Sequence, residues 1–190
     1  PQATLVEDVS ILLDQLTEDL YLRSYGGLSA SPPFDLSTAR LLAREAVELI
    51  DAPLVPSDAD GVAAERLRFA REVRTELAQR KQRLGVFTFD DQLLRLRDSL
   101  RHATSQAAVE RLRRRCQVVL VDEFQDTDPV QWSILQQAFH GHRPLVLIGD
   151  PKQAIYGFRG ADVTAYQQAL AAAGHRFSLA VNHRADQPVV

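Results

Sequence analysis

Two short, uninterrupted apolar runs, each followed by acidic residues, constrain the fold more than any other feature of the sequence. Residues 118–121 run directly into the pair Asp122 and Glu123, and residues 145–148 run into Asp150 after one glycine. Unalternating runs of this length are typical of parallel strands covered on both faces. We therefore expect a parallel sheet in this part of the chain, with carboxylates at its carboxyl edge, where ligand sites lie.

The segments around these runs predict a strand–helix–strand–helix–strand series. Asp128 fits the N-cap position of a helix that reaches His140. Asp162 fits the N-cap of a second helix, which ends near Gly174, and residues 176–181 are expected to form a third strand. Parallel strands joined in this way imply right-handed crossovers.

The residues before this series predict helices. Apolar residues at spacings of three and four indicate helices over about residues 4–24, 37–50, 58–84, 88–100 and 105–115. We expect Ser37 to cap the second helix, Gly85 to end the third, and Thr88 with Asp91 to form a capping box on the fourth. The expected buried faces are Leu41, Leu42, Val47 and Ile50 in the second helix, Val62, Phe69, Val73, Leu77 and Leu84 in the third, and Phe89, Leu93, Leu96 and Leu100 in the fourth.

Composition favours a folded soluble protein in a reducing cytoplasm. The chain has 190 residues, of which 45% are hydrophobic, and no apolar stretch approaches the ~20 residues that span a bilayer. Its one cysteine, Cys116, cannot form an internal disulfide. The absence of methionine and the start at Pro1 predict that the chain is a piece of a longer protein.

The formal net charge of −3 hides a strong asymmetry. Residues 1–60 carry 3 Lys/Arg against 11 Asp/Glu, whereas residues 61–83 carry 7 against 3. A local basic face can bind phosphates in a protein whose total charge is acidic. The same residues also fit a solvated helix with Glu–Arg pairs at spacings of three and four, so both interpretations stay open.

Four segments carry a resemblance to a known family. They are residues 87–91 (Phe-Thr-Phe-Asp-Asp), 122–127 (Asp-Glu-Phe-Gln-Asp-Thr), 149–162 (Gly-Asp-Pro-Lys-Gln-Ala-Ile-Tyr-Gly-Phe-Arg-Gly-Ala-Asp) and 182–184 (Asn-His-Arg). The four segments resemble conserved segments of the UvrD/RecB group of superfamily-1 DNA helicases. The first resembles the segment before motif II, and the other three resemble motifs II, III and IV, in that order. The sequence of residues 150–156, together with Tyr166, is most similar to the RecB (exodeoxyribonuclease V beta subunit) branch.

The resemblance implies an α/β fold in two parts. Residues 1–86 would be a helical insertion subdomain, of the type called 1B. Residues 87–190 would be part of a RecA-like, parallel-sheet P-loop NTPase domain.

The resemblance also assigns roles to single residues around ATP and Mg²⁺. Asp122 would hold Mg²⁺, and Glu123 would activate the water that attacks the γ-phosphate. Gln153 would sense the γ-phosphate and couple it to DNA, and Arg184 would stabilise charge on the transferred phosphate as an arginine finger.

Three residues after motif III are candidates for binding DNA. Tyr156 and Phe158 would stack on bases, and Arg159 would bind phosphate or stack. The family usually has Trp at the position of Phe158. Two interpretations of Phe158 therefore stay open: a ring that stacks less strongly on a base than Trp would, or a residue of the hydrophobic core.

The Gly-x-x-x-x-Gly-Lys-Ser/Thr loop that cradles ATP phosphates appears nowhere in the 190 residues. In the family this loop lies upstream of motif II, and motifs V and VI lie downstream of motif IV. We therefore expect a fragment, cut at both ends and without the nuclease domain of RecB-type proteins, that does not hydrolyse ATP by itself.

Three functional hypotheses follow. The first is part of an ATP-dependent 3′-to-5′ helicase or translocase of an exonuclease V-type recombinational repair complex, acting on single-stranded or duplex-end DNA with other subunits. The second is a non-catalytic DNA-binding or partner-docking module with a degenerate motor signature. The third is a Mg²⁺ nuclease built on Asp122, Glu123, Asp126 and Asp128.

Overall fold

A computed structural model describes residues 3–27, 31–48, 54, 61–102, 106–153, 163–179 and 181. The structure is α/β and mostly helical, with two small parallel sheets, each of two strands. The elements in chain order are β1 (Thr4–Leu5), α1 (Ser10–Tyr25), α2 (Leu36–Glu48), α3 (Val62–Leu84), β2 (Val86–Phe87), α4 (Phe89–Arg101), α5 (Gln106–Arg115), β3 (Val119–Val121), α6 (Pro129–Phe139), β4 (Leu145–Leu147) and α7 (Val163–Ala172). Short 3₁₀ turns follow β3 at Phe124–Asp126 and β4 at Pro151–Gln153.

Helices α1, α2 and α3 pack around one apolar core. Leu16, Leu20, Phe69 and Val73 are almost completely buried in it. The ring of Phe34, in the segment before α2, meets that of Phe69 edge to face at a centroid distance of 5.6 Å. Long aliphatic and aromatic side chains thus fill the space between the three helices.

Helix α2 differs from the sequence prediction in its cap and in its buried face. The cap expected at Ser37 lies two residues earlier, where Asp35 Oδ1 accepts a hydrogen bond from the Thr38 N–H at 2.8 Å. The most buried residues are alanines, because small side chains let α2 approach the other helices closely; they are Ala39, Ala43 and Ala46. Leu41, expected inside, is 62% exposed, whereas Leu42 and Val47 pack at the edge of the core. Ile50 lies outside the described residues.

Helix α3 has the expected stripe over its middle. Phe69, Val73 and Leu77 are buried, but Val62 and Leu84 at its two ends are exposed because they lie beyond the cover of α1 and α2. Gly85 ends the helix as predicted. Its φ of 64° lies in the left-handed region that glycine adopts without strain.

The basic stretch of α3 is largely paired with acids. Arg68 bonds Glu65 at 2.6 Å and Glu72 at 2.8 Å, at the i,i+3 and i,i+4 spacings. Arg80 bonds Asp19 of α1 at 2.8 Å. Of the two interpretations of this stretch, the paired helix face is therefore the one that the contacts favour.

Helix α4 begins with the predicted capping box. The Thr88 hydroxyl accepts a hydrogen bond from the Asp91 N–H, and the Asp91 side chain accepts one from the Thr88 N–H. The predicted buried face of α4 is wrong: Phe89 is 56% and Leu96 43% exposed, and Leu93 and Leu100 are only half-buried. Helix α4 packs mainly against α6, and one neighbour covers only part of its face.

A second, smaller core lies under the sheet of β3 and β4. Phe124 and Trp132 meet edge to face there, with centroids 5.5 Å apart, beside Ala165 and Ala169 of α7. Only one face of this sheet is covered within the described residues, so the expectation of strands covered on both faces is wrong there. The residues on the other face are 42–64% exposed; they are Val118, Leu120, Val146 and Ile148.

Helix α6 starts at the predicted Asp128 cap, in a capping box with Gln131. The cap expected for α7 at Asp162 lies outside the described residues. The third strand expected at 176–181 is not formed at residues 176–179 or at 181, where Phe177 and Leu179 are 93% and 97% exposed. A strand needs a hydrogen-bonding neighbour, and none of the described strands pairs with this segment. Across the described ranges, no helix is both long and apolar enough to cross a membrane.

Candidate functional site

The two strands of the second sheet bring both acidic segments to the same edge. Strands β3 and β4 run parallel, with Val121 opposite Leu147. The ladder continues past the strand ends, where the Ile148 N–H donates to the Val121 carbonyl and the Phe124 N–H donates to the Ile148 carbonyl, both at 2.8 Å. The residues that follow β3 therefore lie beside those that follow β4.

Asp122 and Glu123 follow β3 directly, and both are exposed at this edge. The Glu123 N–H donates to Asp122 Oδ1 at 2.9 Å, which fixes one oxygen of that carboxylate. Glu123 itself has a left-handed backbone, with φ 49° and ψ 40°, and is the only non-glycine residue with positive φ in the described part of the chain. This conformation costs about 1–2 kcal/mol for a residue with a Cβ atom, and such residues cluster at functional sites.

Gln125 connects the two acidic segments. Its Nε2 donates to Glu123 Oε2 at 2.6 Å, and its Oε1 accepts from the Asp150 N–H at 3.0 Å. The residue is 5% exposed. One buried amide therefore uses its donor toward the segment after β3 and its acceptor toward the segment after β4.

Gly149 leaves room for this amide. A Cβ atom placed on Gly149 would lie 2.6 Å from Gln125 Oε1 and 3.1 Å from the backbone nitrogens of Phe124 and Gln125. Real Cβ atoms essentially never lie within 3.0 Å of another atom, and contacts of 3.1 Å are unusually tight. The close passage of the two segments therefore favours glycine at this position, since a larger residue would displace the Gln125 amide and crowd the backbone of residues 124 and 125.

Asp150 organises the turn that carries Gln153. Its Oδ1 accepts from the Lys152 N–H at 3.0 Å, and its carbonyl accepts from the Gln153 N–H at 2.9 Å. The Gln153 side chain donates through Nε2 to Asp150 Oδ2 at 3.3 Å and is exposed. This long bond at the surface leaves the Gln153 amide able to exchange its partner for a ligand oxygen.

The donor set at this edge fits Mg²⁺ bound with a nucleotide. Mg²⁺ in such sites takes one or two carboxylates and completes its shell with waters and substrate phosphates. Asp122 offers one exposed carboxylate, whose Oδ1 is held by the Glu123 N–H. Asp122 could hold the ion, and the phosphates would supply further oxygens.

The other acids of this region have different surroundings. Asp128 Oδ1 accepts from the Gln131 N–H at 2.8 Å as the cap of α6. Asp126 Oδ1 is buried and has no hydrogen-bond partner among the described residues. Within the ranges that the structure describes, no three His, Cys, Asp or Glu side chains are grouped so that they could hold a metal ion.

Of the site residues predicted from the sequence, Asp122, Glu123 and Gln153 lie within the described residues and share the carboxyl edge of one sheet. Tyr156, Phe158, Arg159 and Arg184 lie outside them, so their roles stay predictions.

Sequence reasoning missed Gln125 and Gly149. A polar amide two residues after an acidic pair was a signal, because a glutamine in a turn under a sheet needs partners for both ends of its amide. Nothing in the sequence indicated that those partners would come from two separate segments.

The chain matches known proteins over almost its whole length. The UvrD/REP helicase N-terminal domain family matches residues 34–173. The RecBCD enzyme subunit RecB of Mycolicibacterium smegmatis is 48% identical over 189 residues, which is 98% of this chain. The RecB subunit of Mycobacterium tuberculosis H37Rv is 46% identical over 188 residues, also 98% of the chain, and that of Escherichia coli K12 is 43% identical over 120 residues, or 62%.

The chain spans 17% of the length of the first two relatives and 10% of the third. The matched residues 34–173 make up most of the chain. They include strands β3 and β4, the turn after each strand and the sheet edge where Asp122, Glu123 and Gln153 lie. The chain therefore belongs to the UvrD/REP helicase N-terminal domain family and is RecB-like within it.

Proposed function

We propose that the chain is part of a longer motor subunit, an ATP-dependent 3′-to-5′ DNA helicase or translocase of an exonuclease V-type repair complex. The observation that carries this proposal is the placement of Asp122 and Glu123 beside the turn that carries Gln153, at one edge of a parallel sheet. The longer protein would act in the cytoplasm on single-stranded or duplex-end DNA, together with other subunits. RecB relatives at 48% and 46% identity support the assignment.

In this proposal Asp122 holds Mg²⁺ and Glu123 orients and deprotonates the attacking water. When bound, Mg²⁺ neutralises charge on the phosphate oxygens. The hydrogen bond from the Glu123 N–H keeps the Asp122 carboxylate at the strand end. Glu123, exposed beside it, has an oxygen that can accept a proton from water.

Gln153 would report the state of the phosphate. Its amide can donate to a phosphate oxygen in place of Asp150 Oδ2, because the present bond of 3.3 Å is long and exposed. The segment that follows carries the proposed DNA-binding residues Tyr156, Phe158 and Arg159. An exchange of the hydrogen-bond partner of Gln153 would therefore take place only a few residues before the proposed DNA contacts. Arg184 would stabilise charge on the transferred phosphate.

The two parts of the chain would have different tasks. Residues 1–86 would form the 1B-type helical subdomain, which the three-helix core of α1, α2 and α3 supports. Residues 87–190 would form part of the RecA-like ATPase domain, supported by the parallel strands β3 and β4.

We also propose that the 190-residue chain alone does not hydrolyse ATP. Its sequence has no loop that cradles the phosphates, so Asp122 and Glu123 have no bound phosphate to act on. ATPase activity of the purified chain that disappears in Asp122→Asn would contradict this.

The experiment that tests the proposed function compares Asp122→Asn and Glu123→Gln with the wild type in the full-length protein. Steady-state ATP hydrolysis with single-stranded DNA should fall at least about 100-fold in each, the usual contribution of a catalytic base or metal ligand. Glu110→Gln makes the same chemical change as Glu123→Gln at an exposed position on α5, outside the four family segments, and should leave kcat unchanged.

Unchanged ATP hydrolysis in Glu123→Gln, with DNA binding retained, would favour the non-catalytic DNA-binding module instead. The free-standing nuclease has less support, because the Asp128 carboxylate caps α6.

A further inference from the structure

We propose that Gln125 is a positioning residue that ties the Glu123 carboxylate to the Asp150–Gln153 turn. The inference rests on the proposed function, since it assigns Gln125 to the same hydrolytic site. Through this one amide, a shift of the turn that carries Gln153 would move the group that activates water. Gln125 would then make hydrolysis depend on the state of that turn.

The two hydrogen bonds of Gln125 specify its residue type. Nε2 donates to Glu123 Oε2 at 2.6 Å, and Oε1 accepts from the Asp150 N–H at 3.0 Å. A glutamate here could accept from Asp150 but could not donate to Glu123, and a methionine of similar length could do neither. Only an amide of this length satisfies both neighbours at once.

The packing around Gln125 holds the amide in place. The residue is 5% exposed, so an unpaired amide there would lose its hydrogen bonds without regaining water. Phe124, next to it, is fixed by its ring contact with Trp132 and by its N–H bond to the Ile148 carbonyl. Gly149 closes the other side, where even one added carbon would meet Gln125 Oε1 at 2.6 Å. The Gln125 amide therefore has little room to move, and a shift of one of its two partners would strain the hydrogen bond to the other.

The Glu123 side chain, in contrast, is exposed and starts from a left-handed backbone. The 2.6 Å bond from Gln125 is the only hydrogen bond to its carboxylate within the described part of the chain. Gln125 thus supplies the contact that fixes where this carboxylate lies.

The test uses Gln125→Glu and Gln125→Met in the full-length protein, with ATP hydrolysis measured with and without single-stranded DNA. Gln125→Glu keeps the acceptor for Asp150 but faces Glu123 with a second carboxylate. We expect kcat to fall about 10–100-fold, the usual effect of losing a group that orients a catalytic side chain. KM for ATP should stay within about twofold of the wild type, because Gln125 contacts no nucleotide in this proposal. The ratio of DNA-stimulated to basal kcat should fall as well, because the proposed coupling needs the bond to Glu123 as much as the bond to Asp150.

Gln125→Met loses both bonds, so kcat and the DNA-stimulation ratio should both fall. Gln136→Glu is the matched control, because Gln136 is exposed on α6 and the chemical change is the same. A kcat in Gln125→Glu within about twofold of this control would overturn the inference, and so would a loss of ATP binding equal to the loss of kcat.

Glu123→Gln, measured in parallel, separates the two proposals. If Glu123→Gln abolishes hydrolysis and Gln125→Glu does not lower it, only the role of Gln125 is wrong. If Glu123→Gln retains hydrolysis, the proposed function itself is wrong. Should Gln125→Glu fail to fold, the neutral Gln125→Met decides, since an unchanged DNA-stimulation ratio in it contradicts the connection to Asp150.

Discussion

Lys81 Nζ lies 2.7 Å from both carboxylate oxygens of Asp91. Lys81 is in the last turn of α3 and Asp91 in the first turn of α4, and their side chains are only 9% and 17% exposed. The same carboxylate also accepts the Thr88 N–H at 2.8 Å. One acid therefore holds together the junction between the helical core and the rest of the chain.

This pair predicts a loss of stability in acid. Burial on its own raises the pKa of Asp91, but the hydrogen bonds from Lys81 and from the Thr88 backbone outweigh it, so the pKa lies below its ordinary value of 3.8. A depressed folded-state pKa means that the contribution is complete above pH 3.8 and is lost as the pH falls below it. Asp91→Asn should lower the free energy of unfolding by about 3 kcal/mol at neutral pH, because it leaves the Lys81 ammonium buried without its counter-ion. Urea denaturation over a pH series would measure this, and the difference from wild type should shrink below pH 3.8.

Asp90→Asn is the matched control on the same helix. Asp90 is exposed in the first turn of α4, so only its interaction with the helix dipole is lost, at most about 1 kcal/mol. Equal losses in the two variants would show that the Lys81–Asp91 pair has no special role.

The substitutions Phe69→Ala and Phe89→Ala should lower the free energy of unfolding by very different amounts. Phe69 is completely buried among α1, α2 and α3, so Phe69→Ala should lower the free energy of unfolding by about 3–5 kcal/mol. Phe89→Ala, at a position 56% exposed, should cost less than about 1 kcal/mol. Thermal denaturation of both variants checks the assignment, and a larger loss for Phe89→Ala would mean that α4 buries the face expected from its sequence.

Gly149→Ala should destabilise the site because the new Cβ atom meets Gln125 Oε1 and two backbone nitrogens. We expect a loss of about 1–3 kcal/mol, as for other overpacked positions. Gly27→Ala is the control, because nothing lies within 4 Å of its Cβ position. Chemical denaturation that finds Gly149→Ala as stable as Gly27→Ala would refute the close passage of the two segments.

The two faces of the β3–β4 sheet can be tested with the same substitution. Val146→Thr, at a position 43% exposed, should change the free energy of unfolding by no more than about 0.5 kcal/mol. Val121→Thr places a hydroxyl against the Phe124 and Trp132 core and should cost about 1–3 kcal/mol. Urea denaturation of both variants would show the difference, and the reverse order would mean that the covered face has been misidentified.

Local rules predicted the parts of the fold that local contacts determine. The capping box of Thr88 and Asp91, the Asp128 cap and the end of α3 at Gly85 each depend on residues within four positions, and all three predictions are confirmed. The position of Asp122 and Glu123 at a strand end was also predictable, because a short apolar run is buried as a strand and the acids that follow it must reach solvent at the end of that strand.

Tertiary contacts decided what the sequence did not predict. Which face of α4 is buried depends on how much of it α6 covers, and a periodic pattern carries no such information. Phe177 and Leu179 have the alternation of a strand but no paired neighbour among the described strands. The bond of Gln125 to Asp150 joins residues 25 positions apart and follows only from the register of β3 and β4.

The pairing of β1 with β2 places Thr4 opposite Val86 and Leu5 opposite Phe87. Their backbones are tied by bonds from the Thr4 N–H to the Gly85 carbonyl at 2.7 Å and from the Val6 N–H to the Phe87 carbonyl at 2.9 Å. The segments that precede and follow the three-helix core therefore lie side by side. Ends that lie side by side are the geometry at which proteins tolerate insertions and circular permutation, so the three-helix core meets this condition at its two ends.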